Sequence, residues 1–281
     1  MEGLLDRLRD VAASSQKLQK RLNAYRGLLD KPVDNAFART KELAAIGRMV
    51  ESFPDAELKK ELAAWLETEG KAVSEHRDEF RFRFGTELAA SLKQAGLSAH
   101  GQLPALRVGL FTVRVDFDSG KATVFWGPEV EKLKSGLPLS PEGLGQTLRK
   151  WTEDLESRSI PPDKFRKMLV EAYQRVVTIK GVGAGARVPL ADVSAELVMM
   201  MQPASFRADP SKSRFVEYPR VRFSFDLYRL RSAGTSDESA KLRLHVATFD
   251  ATTRKTTALW VPDNTEGEGT HYAYVSVGGE A

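Results

Sequence analysis

The first hundred residues repeat their hydrophobic positions at helical spacing. Leu4, Leu8, Val11, Ser15, Leu18, Leu22, Tyr25 and Leu29 step alternately by four and three, a heptad seam with one polar member at Ser15. Lys31-Pro32 should end it, because proline disfavours helical backbone at the residue before it. A second helix is expected over Asn35 to Val50, and Ser52-Phe53-Pro54-Asp55 is the next break. Leu58, Leu62, Trp65, Glu69, Val73, His76 and Phe80 hold nearly the same rhythm, and Phe84, Leu88 and Leu92 carry it on. Unbroken from Asp55 to Gln94, that helix would be about 60 Å long at about 1.5 Å per residue. Gly85 is a candidate kink and Gly96 a candidate C-terminal cap. Two arrangements bury such seams: a small antiparallel bundle, or an extended coiled coil that dimerises or grips a partner.

At Leu106 the period changes to two. L-R-V-G-L-F-T-V-R-V-D-F alternates, shifts phase at Leu110/Phe111 and alternates again. Such a shift predicts a bulge or a strand covered on both faces. Asp118-Ser119-Gly120-Lys121 reads as a turn, A-T-V-F-W as the returning strand of a β-hairpin, and Gly127-Pro128 as its close. Helices resume after Gly136. Ser140-Pro141 combines a capping side chain with a first-turn proline, ahead of an apolar face of Leu144, Leu148, Trp151 and Leu155. Pro161-Pro162 starts the next helix, with Phe165, Leu169, Ala172 and Val176 inward; Pro189 opens a third, Leu190 to Gln202, ended by Pro203. Met199, Met200 and Met201 at its end read as core filler. Tyr218 to Gly234 fits both periods, and Pro219 at its start and Gly234 at its end favour a helix. Strands are expected over Leu242 to Phe249, Thr256 to Val261 and His271 to Val277. The fold class is α+β: a helical bundle or coiled-coil region over 1–100, a β-hairpin connector over 101–135, and over 136–281 an α+β domain of helices with a small antiparallel sheet.

Composition narrows the chemistry. The 281 residues are 42% hydrophobic and 28% charged, enough to build real cores. There is no cysteine, which excludes disulfides, thiolate zinc sites and a cysteine nucleophile. Acids stand in the first ten residues where a signal peptide needs an apolar run, and no apolar stretch is long enough to span a membrane. A soluble cytoplasmic protein is expected. The net charge of +4 is unevenly placed: Arg207 to Lys255 holds 11 basic and 6 acidic residues, while the chain from Thr256 onward holds no Lys or Arg and four acids.

Most motifs fail on context. Gly181, Gly183 and Ala186 in R-V-V-T-I-K-G-V-G-A-G-A-R-V-P-L match the dinucleotide fingerprint G-x-G-x-x-G/A. That site needs a strand before the glycines and a helix directly after them. Here a helix runs up to about Val176 and Pro189 would fall inside the required helix, so the stretch reads as a connector, flanked by Lys180 and Arg187, which could reach phosphates. Gly120-Lys121-Ala122-Thr123 lacks the Walker spacing, and His76, His100, His245 and His271 are isolated from one another. No G-x-S-x-G turn offers a serine nucleophile. Asp116, Asp118, Glu129, Glu131 and Lys132 around the hairpin are the nearest approach to a metal-dependent nuclease. Turns favour acids in any case, and the expectation is no catalytic residue, no metal and no cofactor.

The basic stretch is the strongest candidate. Arg214, Arg220, Arg222, Arg229, Arg231, Arg243, Arg254 and Lys255 are interleaved with Phe215, Tyr218, Phe223, Phe225 and Tyr228. Two helices, an arginine-bearing third and then a hairpin with Arg254 and Lys255 at its tip: that order resembles a winged helix, in which the third helix enters the major groove and the hairpin touches backbone. One departure is the join before the third helix, Pro203 to Glu217, far longer than the usual turn of about 3–4 residues. The expected function is a non-enzymatic nucleic-acid-binding regulator or accessory subunit, with DNA the first expectation. It would dimerise or dock on a protein partner through residues 1–95. The alternative is a protein-binding scaffold, an accessory subunit of a larger complex such as a coiled-coil ATPase; a metal-dependent nuclease ranks third.

Overall fold

The structure, a computed structural model, describes residues 1–234, 242–252 and 257–278. They form a mixed α and β chain that gathers into two compact units: Met1–Gln94 with Val115–Ala122 and Gly136–Leu144, and Ala95–Arg114 with Thr123–Ser135 and Gly145–Ala281.

The first unit is built on α1 (Glu2–Gly27), α2 (Ala36–Glu51) and α3 (Ala56–Gln94), where the apolar rhythm places them. α3 continues through Gly85 without interruption. Arg21 pairs with Glu42 and Tyr25 bonds Arg39; Asp34 pairs with Arg83 and Phe37 meets Phe80. Rising numbers on one helix thus meet falling numbers on the next, so neighbouring helices run antiparallel. The core of this bundle includes Leu18, Tyr25, Leu43, Ile46, Val50, Phe53, Leu62 and Val73. The seam of α1 enters it only from Leu18; Leu4 and Leu8 are each 66% exposed.

One cation lies inside the bundle. Arg39, 2% exposed, donates from Nη2 to Tyr25 Oη at 2.9 Å and to Glu69 at 3.0 Å. Its Nη1 lies 2.8 Å from His76 Nδ1 and 3.2 Å from the Pro32 carbonyl. Burial and the bond it donates to Glu69 push the Tyr25 hydroxyl up to about 12. A buried guanidinium is tolerable only with its fork matched in this way.

A five-stranded antiparallel sheet has the order β1 (Ala99–Gln102), β2 (Ala105–Val108), β3 (Phe111–Asp116), β4 (Lys121–Trp126), β5 (Glu131–Pro138). The phase shift at Leu110/Phe111 is a chain reversal, not a bulge. Val108 pairs with Phe111, leaving Gly109 and Leu110 as a two-residue hairpin turn. Gly109 at φ 51° occupies the first loop position, where such turns take glycine. Gly127-Pro128 follows directly on the end of β4 and closes that hairpin, and β5 then adds a further strand beyond it.

The second unit holds most of α4 (Pro141–Ser157), then α5 (Pro162–Lys180), β6 (Val188–Pro189), α6 (Leu190–Met200), α7 (Ala204–Ala208), a 3-10 turn at Lys212–Arg214 and α8 (Arg220–Ser232). β7 (Leu242–Val246), α9 (Phe249–Thr252), β8 (Leu259–Pro262) and β9 (Gly269–Val277) follow. As the sequence implies, Ser140 Oγ caps α4 by accepting from Gly143 N at 3.2 Å. The core of the unit draws Phe165, Leu169 and Val176 from α5, Val193 and Leu197 from α6, Phe223, Leu227 and Leu230 from α8, and Val261, Tyr272 and Val275 from the sheet.

Three expectations for this unit are corrected. The winged-helix order needs β7 and β8 to pair with each other. Instead both pair with β9, β7 through 272–277 and β8 through 269–272, with β6 beyond β8 on that same flank. The strand expected to reach Phe249 ends at Val246, and Phe249–Thr252 is a helical turn. The proposed groove helix, α8, is the buried centre of the unit: Phe223, Ser224, Phe225, Asp226, Leu227 and Leu230 are all buried. Trp126 Nε1 donates to Ser224 Oγ at 3.1 Å, and that hydroxyl donates to the Trp260 carbonyl at 2.6 Å. A helix enclosed on this much of its circumference cannot lie in a DNA groove.

Candidate nucleic-acid interface

The basic residues of the second unit sort by whether the fold already occupies them. Arg214 pairs with Asp209 at 2.8 Å. Arg220 donates to the Ala258 carbonyl at 2.8 Å and lies 3.6 Å from Glu131. Arg222 is 3.4 Å from Asp154, and Arg231 is 2.6 Å from Asp263. Arg229 donates to Ser159 Oγ, beside Asp226. The Asp226 carboxylate accepts from Tyr218 Oη and from Ile160 N at 3.1 Å. Burial pushes the Asp226 carboxyl above its ordinary range, and burial with that carboxylate alongside pushes the Tyr218 hydroxyl far up. Each of these arginines therefore already has a carboxylate, carbonyl or hydroxyl partner in its own unit. Arg254 and Lys255 lie outside the described residues.

Arg243 is the exception. It is exposed on β7 and has no hydrogen bond or ion pair among the described residues. The same holds for Arg187, directly before β6. The register brings them together: Arg243 pairs with Ser276 of β9, and Val188 pairs with Val275, so Arg187 stands beside Ser276 on the other flank. The next row is Pro189, Tyr274 and His245. His245 Nε2 is 2.9 Å from Ser276 Oγ. Partial burial, then Arg187, then Arg243 hold the His245 imidazole below its ordinary range, so both guanidinium groups reach that ring electrostatically.

A bulge makes this an open face. His245 pairs with Tyr274 and Val246 with Tyr272, leaving Ala273 unpaired in β9. One extra residue inverts the facing of all that follow. Before it, Tyr272 belongs to the core; after it, Val275 does, while Tyr274 is 45% exposed. The outer face thus offers a tyrosine, a histidine and two unengaged arginines, with no carboxylate in either row.

The glycine stretch contributes by its end. α5 runs to Lys180, and Gly181 at φ 63° closes it as the left-handed residue of a Schellman cap: Gly181 N donates to Thr178 O and Val182 N to Val177 O. The strand that a dinucleotide site needs is helix here. Lys180 is paired with Asp192 at 2.8 Å, whereas Arg187 emerges onto the sheet face.

Around the β3–β4 hairpin, Asp116 is consumed by its own turn, accepting from Asp118 N at 2.9 Å and from Ser119 Oγ at 2.6 Å; these bonds hold its carboxyl low. Glu129 pairs with Arg114 and Glu131 with Arg220. Among the described residues no group of three or more His, Asp or Glu is placed to hold a metal, and no helix is long and apolar enough to cross a membrane. No known protein family, curated protein or solved structure matches this chain.

Proposed function

We propose that this protein is a non-enzymatic nucleic-acid-binding regulator or accessory subunit that works in the cytoplasm and joins a second copy or a partner through a coiled coil at its N-terminal helix. The observation that carries the binding is the pair Arg187 and Arg243, unengaged on one sheet face while neighbouring arginines are tied up inside the fold. Winged-helix insertion plays no part in it. Each guanidinium that neutralises a phosphate releases condensed counterions, so log K should fall with log salt at a slope of about −2 to −4 for two to four contacts. The test is a gel-shift series at low salt with single- and double-stranded DNA and RNA. Absence of a shift with every one of them overturns the proposal.

A second reading, a protein-binding scaffold, is favoured by the uncovered seam of α1, where Leu4, Leu5 and Leu8 stand exposed. It predicts an assembly whose mass in solution is the same with and without nucleic acid. A mass that rises on adding an oligonucleotide supports the first reading over the second.

A further inference from the structure

Resting on the nucleic-acid reading above, we propose that the ligand is single-stranded and lies across the outer face of the β6–β9–β7 sheet, with a base stacked on Tyr274 and phosphates held by Arg187 and Arg243.

Three observations carry this. The first is spacing. Arg187, Ser276 and Arg243 form one row across three strands, so the two arginine backbones stand about 9.5 Å apart at about 4.8 Å per strand. The Tyr274 row is two residues along β9, about 6.8 Å away. A ring and a flanking pair of cations therefore sit within the reach of neighbouring nucleotides.

The second is the character of the platform. Tyr274 lies between Pro189 and His245 in register, so the exposed ring is bordered by a rigid apolar ring and by a second aromatic ring anchored on Ser276. Unstacked bases present π-faces that settle on such surfaces and on guanidinium planes; a duplex keeps those faces inside and offers only edges and backbone. The third is what the unit lacks for duplex reading. Its arginine-bearing helix, α8, is buried and its arginines are paired, so that helix offers no open basic face to a duplex groove. Arg187 is held in this row from both sides: the Ala186 carbonyl accepts from Tyr173 Oη at 2.9 Å, and Val188 pairs with Val275.

The test measures fluorescence anisotropy of labelled oligothymidine, the matching RNA oligonucleotide and a duplex of the same length, with the full chain and three variants. The expected result is tighter binding of the single strands than of the duplex. Tyr274→Ala should weaken single-strand binding by about 5- to 140-fold, the range for losing one stacked base. Tyr274→Phe, which keeps the ring, should bind like the parent and shows that the alanine effect comes from the ring. The double variant Arg187→Gln, Arg243→Gln should weaken binding and flatten the salt slope by about 1.4, for two lost single-strand phosphates. Circular dichroism of each variant confirms that it is folded; if Tyr274→Ala is not, Tyr274→Leu takes its place. If the duplex binds as tightly as the single strands and Tyr274→Ala changes nothing, the sheet-face proposal fails while nucleic-acid binding stands. If no oligonucleotide binds at low salt, both fail.

Discussion

Arg39 and Asp226 are both buried ionisable groups, and their surroundings give them opposite consequences. Arg39 is matched by Tyr25, Glu69, His76 and a carbonyl. Arg39→Ala would leave Glu69 and Tyr25 without their cation in the bundle, and since Glu69 retains some solvent the expected loss is about 2–4 kcal/mol, measured by urea unfolding. Asp226 carries a cost instead. Burial raises its carboxyl more than the bonds from Tyr218 and Ile160 lower it. A group whose folded pKa exceeds its unfolded one binds more protons when folded, so its contribution to stability falls as pH rises through the window between the two. Asp226→Asn removes that titration and keeps an acceptor for Ile160 N. The stability of the variant should therefore decline less than the parent's as pH rises from about 4, compared by urea midpoints across that range. A parallel pair of pH curves would refute the assignment. Pairings of this kind were not legible in the sequence: the acids that occupy Arg220, Arg222 and Arg231 are Glu131, Asp154 and Asp263, distant along the chain and joined to those arginines only by the fold.

α1 is one helix in two environments. Leu18 is buried against α2 and α3, while Leu8 points to solvent in the same heptad seam. Leu18→Ala should cost about 2–4 kcal/mol of stability, since it opens a cavity in the bundle. Leu8→Ser should leave stability within about 0.5 kcal/mol. If the free turns of α1 form a coiled coil between copies, Leu8→Ser should instead lower the mass seen by sedimentation equilibrium. An unchanged mass would remove α1 from the self-association proposal. The helices were legible because an apolar stripe at 4-3 spacing survives whatever partner covers it. β5 was not: E-K-L-K-S-G-L-P is largely exposed, so no alternation distinguishes it from a loop, and β1 is four residues of the same kind. The candidate face was half legible. Arg243 stood out by its charge, but nothing in H-Y-A-Y-V-S-V shows that Ala273 bulges, and without the bulge Tyr274 cannot be assigned to the open side.

The division into units does not follow the change of period along the chain. The helical rhythm stops near Gln94, which suggests a clean cut there, yet the first unit also contains Val115–Ala122 and Gly136–Leu144. Those segments cover aromatic rings of the helices. Phe84 meets Phe117 edge-on at 5.7 Å, and Arg81 lies over the same Phe117 ring and pairs with Asp118. Arg77 donates to the Phe117 carbonyl at 3.4 Å. The Gly120 backbone approaches Phe37 so closely that an added Cβ would fall 2.5 Å from Phe37 Cβ. A fragment of residues 1–94 keeps α1, α2 and α3 but uncovers Phe37 and Phe84, and exposing a buried phenylalanine costs about 1.5–3 kcal/mol. For a small bundle that is a large share of the whole stability. The fragment should therefore unfold at a lower urea concentration than the first unit does in the full chain, followed in both by hydrogen exchange of α2 and α3 amides. It should also bind a hydrophobic dye that the full chain does not. Equal protection in fragment and full chain would mean that the hairpin tip is decoration on an independent bundle; lower protection would mean that the N-terminal helices cannot be separated from the sheet strands that complete them.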